Sequence, residues 1–325
     1  MNKIFITGGA GFIGSHVCEV IFKKFRKSKI FIYDKITYAS SIYNLKKIIR
    51  SKRVKFIKAD INDEKTLLKH SKNSDLLIHL AAESHVGRSF SSAKKFINTN
   101  VQGTRSILDA CRVNKIKKII HVSTDEIYGE IYKGSFSESD PFNPSNPYSS
   151  SKAAAEMIVN GYKHSFQMDI NIVRANNIFG TRQHPEKLIA RACVCLINNK
   201  KIPIHGSGKQ KRTFLYVLDF ANALVKIIKY GKKNETYNIG SNFEYRNIDV
   251  IKLIAKELNK NYLKVINYIP DRPFNDFRYS IKINKIKKLH WAPKTRIENK
   301  ITEIVNWYKK HYNKFKNSNM FQNFK

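Results

Sequence analysis

Acidic residues are scarce. Only 25 Asp+Glu stand against 60 Lys+Arg, a formal net charge of +35 over 325 residues. Cysteine is scarcer still: Cys18, Cys111, Cys193 and Cys195 are the whole complement. With no Cys-x-x-Cys pair and only a Cys193-x-Cys195 spacing, they exclude a disulfide framework and a cysteine zinc knuckle, and no metal site is expected. Long apolar runs are missing too. None approaches about 18 residues, so no membrane span is expected. The chain enters an apolar strand almost at once, with no apolar leader and no small-residue cleavage site. These absences lead to the expectation of a reduced, soluble protein of the cytoplasm.

Core-forming material is plentiful: 42% of the residues are hydrophobic and 12% aromatic, enough for a packed interior. The length suits about two domains of roughly 150 residues. A pI near 10 raises the question of nucleic acid. The lysines are spread along the chain and form no arm or stripe, so nucleic acid is not the expected partner. Such a surface still draws in anionic small molecules, nucleotides among them. There is no internal repeat.

The first half alternates strand and helix. Strand-like runs are Lys3–Thr7, Ile30–Tyr33, Val54–Lys58, Asp75–Leu80, Ile119–Ser123 and Ile170–Arg174. Amphipathic stretches lie between them at Ser15–Phe25, Glu64–Lys72, Phe96–Asn114 and Tyr148–Phe166. The alternation predicts an α/β fold, a Rossmann-type doubly wound parallel sheet with sites at the carboxyl ends of its strands. Beyond residue 176 the rhythm changes. Helical stretches at Pro185–Asn198, Val217–Tyr230 and Asn247–Leu258 belong to a smaller C-terminal substrate-binding lobe. The expected division is 1–175 and 176–325, with the strand-like runs Phe214–Val217 and Tyr237–Gly240 as candidates to return to the main sheet. The last dozen residues are polar and basic and read as a frayed end.

Thr7-Gly8-Gly9-Ala10-Gly11-Phe12-Ile13-Gly14 follows a strand and opens a helix. That is the context a dinucleotide-binding glycine turn requires. Gly8 permits the turn, Gly11 admits a pyrophosphate to the backbone, and Gly14 lets helix and strand pack closely. Asp34 ends the second strand. A carboxylate there accepts hydrogen bonds from an adenosine ribose and repels a 2′-phosphate, which favours NAD over NADP. Lys35 next to it pulls the other way.

Pro147-Tyr148-Ser149-Ser150-Ser151-Lys152 begins a helix. Tyr148 and Lys152, at i and i+4, project from one face. An ammonium beside the phenol, with a nicotinamide nearby, is expected to lower its pKa, so that Tyr148 can take a hydroxyl proton as hydride leaves. Ser123-Thr124-Asp125-Glu126 ends the fifth strand. Thr124 offers a hydroxyl to a substrate oxygen. Two adjacent acids, Asp125 and Glu126, exceed what a simple dehydrogenation needs. Elimination of water needs both, one to take a carbon-bound proton and one to protonate the departing hydroxyl. Burial and mutual repulsion can hold one of them protonated while the other is ionised.

On these motifs the chain resembles the extended short-chain dehydrogenase/reductase superfamily and, within it, the nucleoside-diphosphate-glucose 4,6-dehydratases. The resemblance runs from Met1 to about Tyr308. Its specific marks are Thr124-Asp125-Glu126 and Pro185-Glu186-Lys187-Leu188-Ile189. Asp34–Ala39, Leu80–Val86, Leu215-Tyr216-Val217 and Asp271-Arg272-Pro273 support them. The resemblance implies NAD as cofactor and dTDP-glucose or UDP-glucose as substrate, dehydrated to the 4-keto-6-deoxy sugar as in rhamnose biosynthesis. It implies cofactor contacts at Phe12, Ile13, Asp34, Lys35, Thr37, Asp60, Ile61, Leu80, Ala81, Ala82, Ser84, Thr99 and Asn177, besides the glycines, Tyr148 and Lys152. For the nucleotide sugar it implies Ser84, Thr124, Asn176, Glu186, Lys187, Leu188, Pro203, His205, Arg212, Asn247, Arg272 and Asn275. Arg212 and Arg272 make a sensible diphosphate clamp.

The resemblance further implies a homodimer formed through the helices of Tyr148 and of Phe96–Asn114. The apolar positions Ile107, Ala110 and Cys111, and Ala154, Met157 and Ile158, fit that interface or internal packing equally.

Departures from the family pattern include Gly87 for an acid, Asn176 for a serine, Ile178 for an asparagine, His184 for an aromatic residue and Asn275 for a frequent histidine. None removes a catalytic group, but they leave the base of the nucleotide open. Two readings compete. One is another nucleotide-sugar epimerase or decarboxylase of the superfamily, against which the paired acids argue. The other is a non-catalytic NAD- or nucleic-acid-binding protein, against which the intact Thr124, Asp125, Glu126, Tyr148 and Lys152 argue.

Overall fold

The computed structural model describes residues 1–313; the expected frayed end lies outside them. The elements, in chain order, begin with β1 (Lys3–Thr7), α1 (Phe12–Lys24), β2 (Lys29–Asp34), β3 (Val54–Lys58), α2 (Glu64–Ser71) and β4 (Leu76–His79). Then come α3 (Val86–Ser91), α4 (Ala93–Phe96), α5 (Gly103–Val113), β5 (Lys118–Thr124), α6 (Pro147–Phe166), β6 (Ile170–Ala175) and β7 (Asn177–Phe179). The rest are α7 (Leu188–Ile197), β8 (Ile202–His205), β9 (Lys211–Tyr216), α8 (Val217–Tyr230), β10 (Thr236–Ile239), β11 (Glu244–Arg246), α9 (Asn247–Glu257), β12 (Ile266–Ile269), α10 (Asn284–Lys287) and α11 (Ile301–His311).

Seven strands form one sheet in the order β10-β6-β5-β4-β1-β2-β3, and every pairing in it is parallel. The strands are near-continuous apolar runs because both faces are covered. Alternate side chains serve opposite faces. Ile4 and Ile6 of β1 pack with Val17 and Ile21 of α1 and with Phe220 and Leu224 of α8. Phe5 between them packs with Leu67 of α2, Ile107 and Leu108 of α5 and Val159 of α6. A separate core joins α7, α9 and α11 to β8 and β9. The parallel register brings all the carboxyl ends to one edge, with Thr7 level with Tyr33 and His79, and Thr124 level with Ala175. Strand order reverses between β1 and β4, which is where an open α/β sheet forms its crevice.

The sequence expectations need four adjustments. Of the two returning runs, β10 joins the main sheet beside β6. β9 does not: it pairs with β7 and β11 in a three-stranded sheet. The helix that follows β9 returns instead, α8 packing along α1. The stretch Phe96–Asn114 is not one helix, since Ile97–Gln102 is a π-helical turn leading into α5. Ile107, Ala110 and Cys111 are buried in the sheet's own core, whereas Ala154 and Met157 face outward.

α6 is set firmly at both ends of its first half. Asn146 accepts the Ser149 N–H at 3.0 Å, and the Ser149 hydroxyl accepts the Asn146 N–H at 3.2 Å, a reciprocal cap with Pro147 at the first helical position. Farther along, Glu156 meets Arg174 of β6 at 2.8 Å, both side chains no more than 5% exposed. All four cysteines are free and buried. Among the described residues, no helix is long and apolar enough to cross a membrane and no metal-binding cluster of His, Cys, Asp or Glu occurs.

Candidate active site

Two clefts open at the carboxyl edge of the sheet. The first, of about 280 Å³, runs from the glycine turn to the end of β5. The second, of about 160 Å³, lies between α7, β8, β9 and the loop after β12. They meet at Glu126, Asn177, Ile178, Gln183, Glu186 and Lys187, which line both.

The first cleft is shaped by the glycine turn. Gly8 has φ +69°, and a Cβ there would lie 2.6 Å from the Ala81 backbone. A Cβ on Gly14 would lie 2.1 Å from the Gly8 carbonyl oxygen. Gly11 precedes α1 with no side-chain cap, so the first N–H groups of the helix are left for an anion. Asp34 sits across the turn. Its carboxylate accepts the N–H groups of Ala10 and Ile36 at 3.0 and 2.8 Å and the Ser40 hydroxyl at 3.2 Å. Burial pushes its pKa up, and these donors oppose the rise. Lys35 is matched by Asp60 at 3.1 Å, so the cation that would attract a 2′-phosphate already has a carboxylate. Farther in, Asn100 clamps the exit of β4 to α6: its amide joins the Glu83 backbone at 2.8 and 3.0 Å and the Ser151 hydroxyl at 2.9 Å.

Every residue expected at the cofactor lines this cleft, as do Thr124, Asp125, Glu126, Asn176 and Ser84. Two buried polar atoms near them, Ser123 Oγ and Asn177 Nδ2, have no hydrogen-bond partner among the described residues. A wall with unmet donors of this kind is one that a polar ligand completes. The glycine cradle, the free helix N-terminus, the strand-end carboxylate and these unmet donors all fit an adenine dinucleotide.

The end of β5 and the start of α6 bring the reactive groups together. Asp125 is 3% exposed. Its Oδ2 accepts the Asn176 amide at 2.6 Å, and its Oδ1 lies 3.3 Å from the Thr124 hydroxyl. Burial first, and Glu126 second, push its carboxyl up to about 7. Glu126 is also raised by burial, against the pull of Lys187, Arg212 and Arg272. The Thr124 side chain favours the ionised form of the Tyr148 phenol. Lys152 by itself does not lower the pKa of the Tyr148 phenol. Burial, then Glu126, hold the phenol above its ordinary value, and the Lys152 ammonium is turned to the Val122 carbonyl at 2.8 Å. Desolvation brings Lys152 itself down to about 8.

The second cleft is cationic. Leu188, Pro203, His205, Arg212, Asn247, Arg272 and Asn275 line it, together with Glu186 and Lys187. Arg212 is anchored by the carbonyls of Lys211, Phe277 and Asp276 at 2.8, 3.2 and 2.7 Å. Lys187 donates to the Ser84 carbonyl at 2.6 Å. Not every expected contact points into free space. Glu186 faces the Tyr38 hydroxyl at 3.3 Å and Arg88 at 3.5 Å, forming part of the wall between the clefts. Asn176 is committed to Asp125. The sequence reading missed Arg191, His85 and Tyr279, all lining this cleft. Arg191 follows Lys187 at i+4 on α7, a spacing that carried the signal. Tyr279 bonds Asp276 from a loop with no motif.

Fold and site together define a class: a doubly wound α/β enzyme joining a dinucleotide-type cleft to a cationic cleft across a Tyr-x-x-x-Lys pair and two acids. The comparisons narrow it. The family model described as GDP-mannose 4,6-dehydratase matches residues 5–304. A dTDP-D-glucose 4,6-dehydratase of Dictyostelium discoideum is 40% identical, over 98% of this chain and 84% of the relative. A trifunctional UDP-glucose 4,6-dehydratase of Arabidopsis thaliana is 38% identical over 94% of this chain and 47% of its own. The dTDP-glucose 4,6-dehydratase of Streptomyces venezuelae, solved with NAD bound, superposes with a TM-score of 0.93 at 32% identity, covering 96% of this chain and 98% of that one. The chain belongs to this 4,6-dehydratase family.

Proposed function

We propose that the chain is an NAD-dependent hydro-lyase converting dTDP-glucose or UDP-glucose to the 4-keto-6-deoxy sugar nucleotide. The observation that carries the reading is the pair of a buried Asp125 and a half-buried Glu126 beside Tyr148, where the two clefts meet. A 4-epimerase would have no use for an acid tuned to about 7 next to a second carboxylate. In this reading residues 1–175, with α8 and β10, form the NAD-binding unit, and the rest of 176–325 forms the nucleotide-sugar lobe. The protein acts in the cytoplasm as a homodimer.

Gly8, Gly11, Phe12, Ile13, Gly14 and Asp34 would hold the adenosine diphosphate half of the cofactor, and Tyr148, Lys152 and Asn177 the other. NAD bound there would supply a reversible hydride acceptor, so that the hydrogen taken from C4 is available for C6. Tyr148 takes the C4 hydroxyl proton, with Thr124 holding the oxygen and Lys152 supplying positive charge. The ketone at C4 acidifies the C5 hydrogen, and Glu126 takes that proton. Asp125 gives its proton to the C6 oxygen, so the C–O bond breaks and water leaves. Glu126 then returns a proton to C5. Lys187, Arg191, Arg212 and Arg272 neutralise the diphosphate.

The test is a parallel assay with NAD and either donor. Product is read by its absorbance in alkali and by the mass loss of one water. Product from one donor alone fixes reaction and base together. No product from either, with folded protein and bound NAD, overturns the reading.

A further inference from the structure

Asn176 stands where the family pattern has a serine, and its side chain makes no use of the open cleft. Its Nδ2 donates to Asp125 Oδ2 at 2.6 Å. Its Oδ1 accepts the Ser241 N–H at 3.3 Å, and its backbone N–H donates to the Ile239 carbonyl at 3.2 Å. The amide therefore has one orientation: turned over, its NH2 group would face the Ser241 N–H. Room for the longer side chain comes from Gly240, where a Cβ would lie 2.1 Å from Asn176 Oδ1. The loop after β10, the returning edge strand, thus grips the residue from three sides.

We infer that Asn176 is a positioning residue that decides which oxygen of Asp125 carries the proton. An oxygen receiving an N–H at 2.6 Å is an acceptor and cannot also hold a proton on that side. Oδ1 accepts only the longer, weaker bond from the Thr124 hydroxyl at 3.3 Å, which leaves it the oxygen with a lone pair open to the proton. The groups facing Asp125 are Glu126 on its own segment, Tyr148 from α6, Arg212 from β9, and Thr124 and Asn176. Of these, Asn176 alone bonds Oδ2. The inference rests on the dehydratase reading for the use of that proton, which is to leave with the C6 oxygen.

Asn176→Ala removes the donor, and Asn176→Asp keeps the acceptor for Ser241 but replaces the donor with charge. Gly240→Ala displaces the side chain without touching Asp125. In all three, kcat falls by roughly tenfold, a fraction of what a general acid supplies, while KM changes less than threefold. An N–H donor favours the carboxylate, so its loss moves the alkaline limb of kcat to higher pH, farthest in Asn176→Asp. A 6-deoxy-6-fluoro donor is the rescue. Fluoride departs with the C–F electron pair while Glu126 takes the C5 proton, so the variants approach the wild-type rate on it.

An infrared carboxyl band, assigned to Asp125 by its loss in Asp125→Asn, titrates at higher pH in Asn176→Ala than in wild type. A raised KM with kcat and pH limb unmoved would make Asn176 a sugar contact and overturn the inference. So would an unmoved infrared band. Wild-type protein that gives no product with either donor overturns the dehydratase reading instead, and the infrared titration still decides the positioning.

Discussion

At the residue scale, Asp125 and Glu126 have the same chemistry and different surroundings. Asp125 is closed in by Asn176 and Thr124, and Glu126 faces the cations of the second cleft. The acid must be protonated and the base ionised, so activity follows a bell in pH. Its alkaline limb lies near pH 7, where Asp125 gives up its proton. The limbs belong to the coupled pair as macroscopic values. Asp125→Asn and Glu126→Gln are each expected to lower kcat by about 100-fold or more, while NAD binding measured by fluorescence quenching is retained.

The same shift has a stability consequence. A carboxyl whose folded pKa is raised contributes stability at low pH that is lost as pH rises through about 7. Thermal melts of Asp125→Asn against wild type should therefore diverge in favour of the variant from about pH 4 to about pH 7 and run parallel above it, the interval between the ordinary and the raised value. The paired acids were legible because two adjacent carboxyls at a strand end stand out. The role of Asn176 was not, because nothing in a local sequence shows that the chain returns at Gly240 to hold it.

At the element scale, two short pieces of backbone set the site. The glycine turn works by contacts too close for a side chain, and Gly14→Ala puts a methyl 2.1 Å from a carbonyl oxygen. It is expected to cost about 1–3 kcal/mol in urea unfolding and to weaken NAD binding at least tenfold. α6 presents Tyr148 and Lys152 only while it is held to β6. Glu156→Ala leaves the buried Arg174 without its carboxylate partner, with an expected loss of about 3–5 kcal/mol by the same measurement.

Elements with long apolar runs or clear caps were readable from the chain. β1 and α8 fall where the pattern puts them, because burial on one or two faces imprints a period. β7, β8, β11 and β12 did not declare themselves. They have three or four residues each and take their strand character from tertiary partners. The π-helical turn at Ile97–Gln102 is likewise set by its packing against α6.

At the scale of the whole molecule, the net charge of +35 meets an anionic substrate at a cleft rimmed by lysine and arginine. Attraction of this kind is screened over about 8 Å at physiological salt. KM for the sugar nucleotide should rise severalfold from low salt to 0.5 M potassium chloride, with kcat little changed; a flat KM would separate the surface charge from substrate capture. The outward face of α6 is the other large-scale feature. Met157 is 53% exposed and Phe166 48%, on the helix that the proposed dimer would use. Met157→Arg is expected to convert a dimer to a monomer in sedimentation velocity, and a wild-type monomer would refute that assembly.

The seventh strand of the main sheet has a further consequence, for biosynthesis. β10 is made long after β6, yet it supplies β6 with its outer hydrogen-bonding partner, and α8 supplies the cover over α1. A nascent chain that has emerged only as far as β6 therefore displays a bare strand edge and an apolar helix flank, both invitations to mispairing. Ribosomal synthesis must proceed past β10, well into the second lobe, before the first is sealed. A fragment cut at the end of β6 should be recovered in inclusion bodies or bound to chaperones, not as a free nucleotide-binding unit.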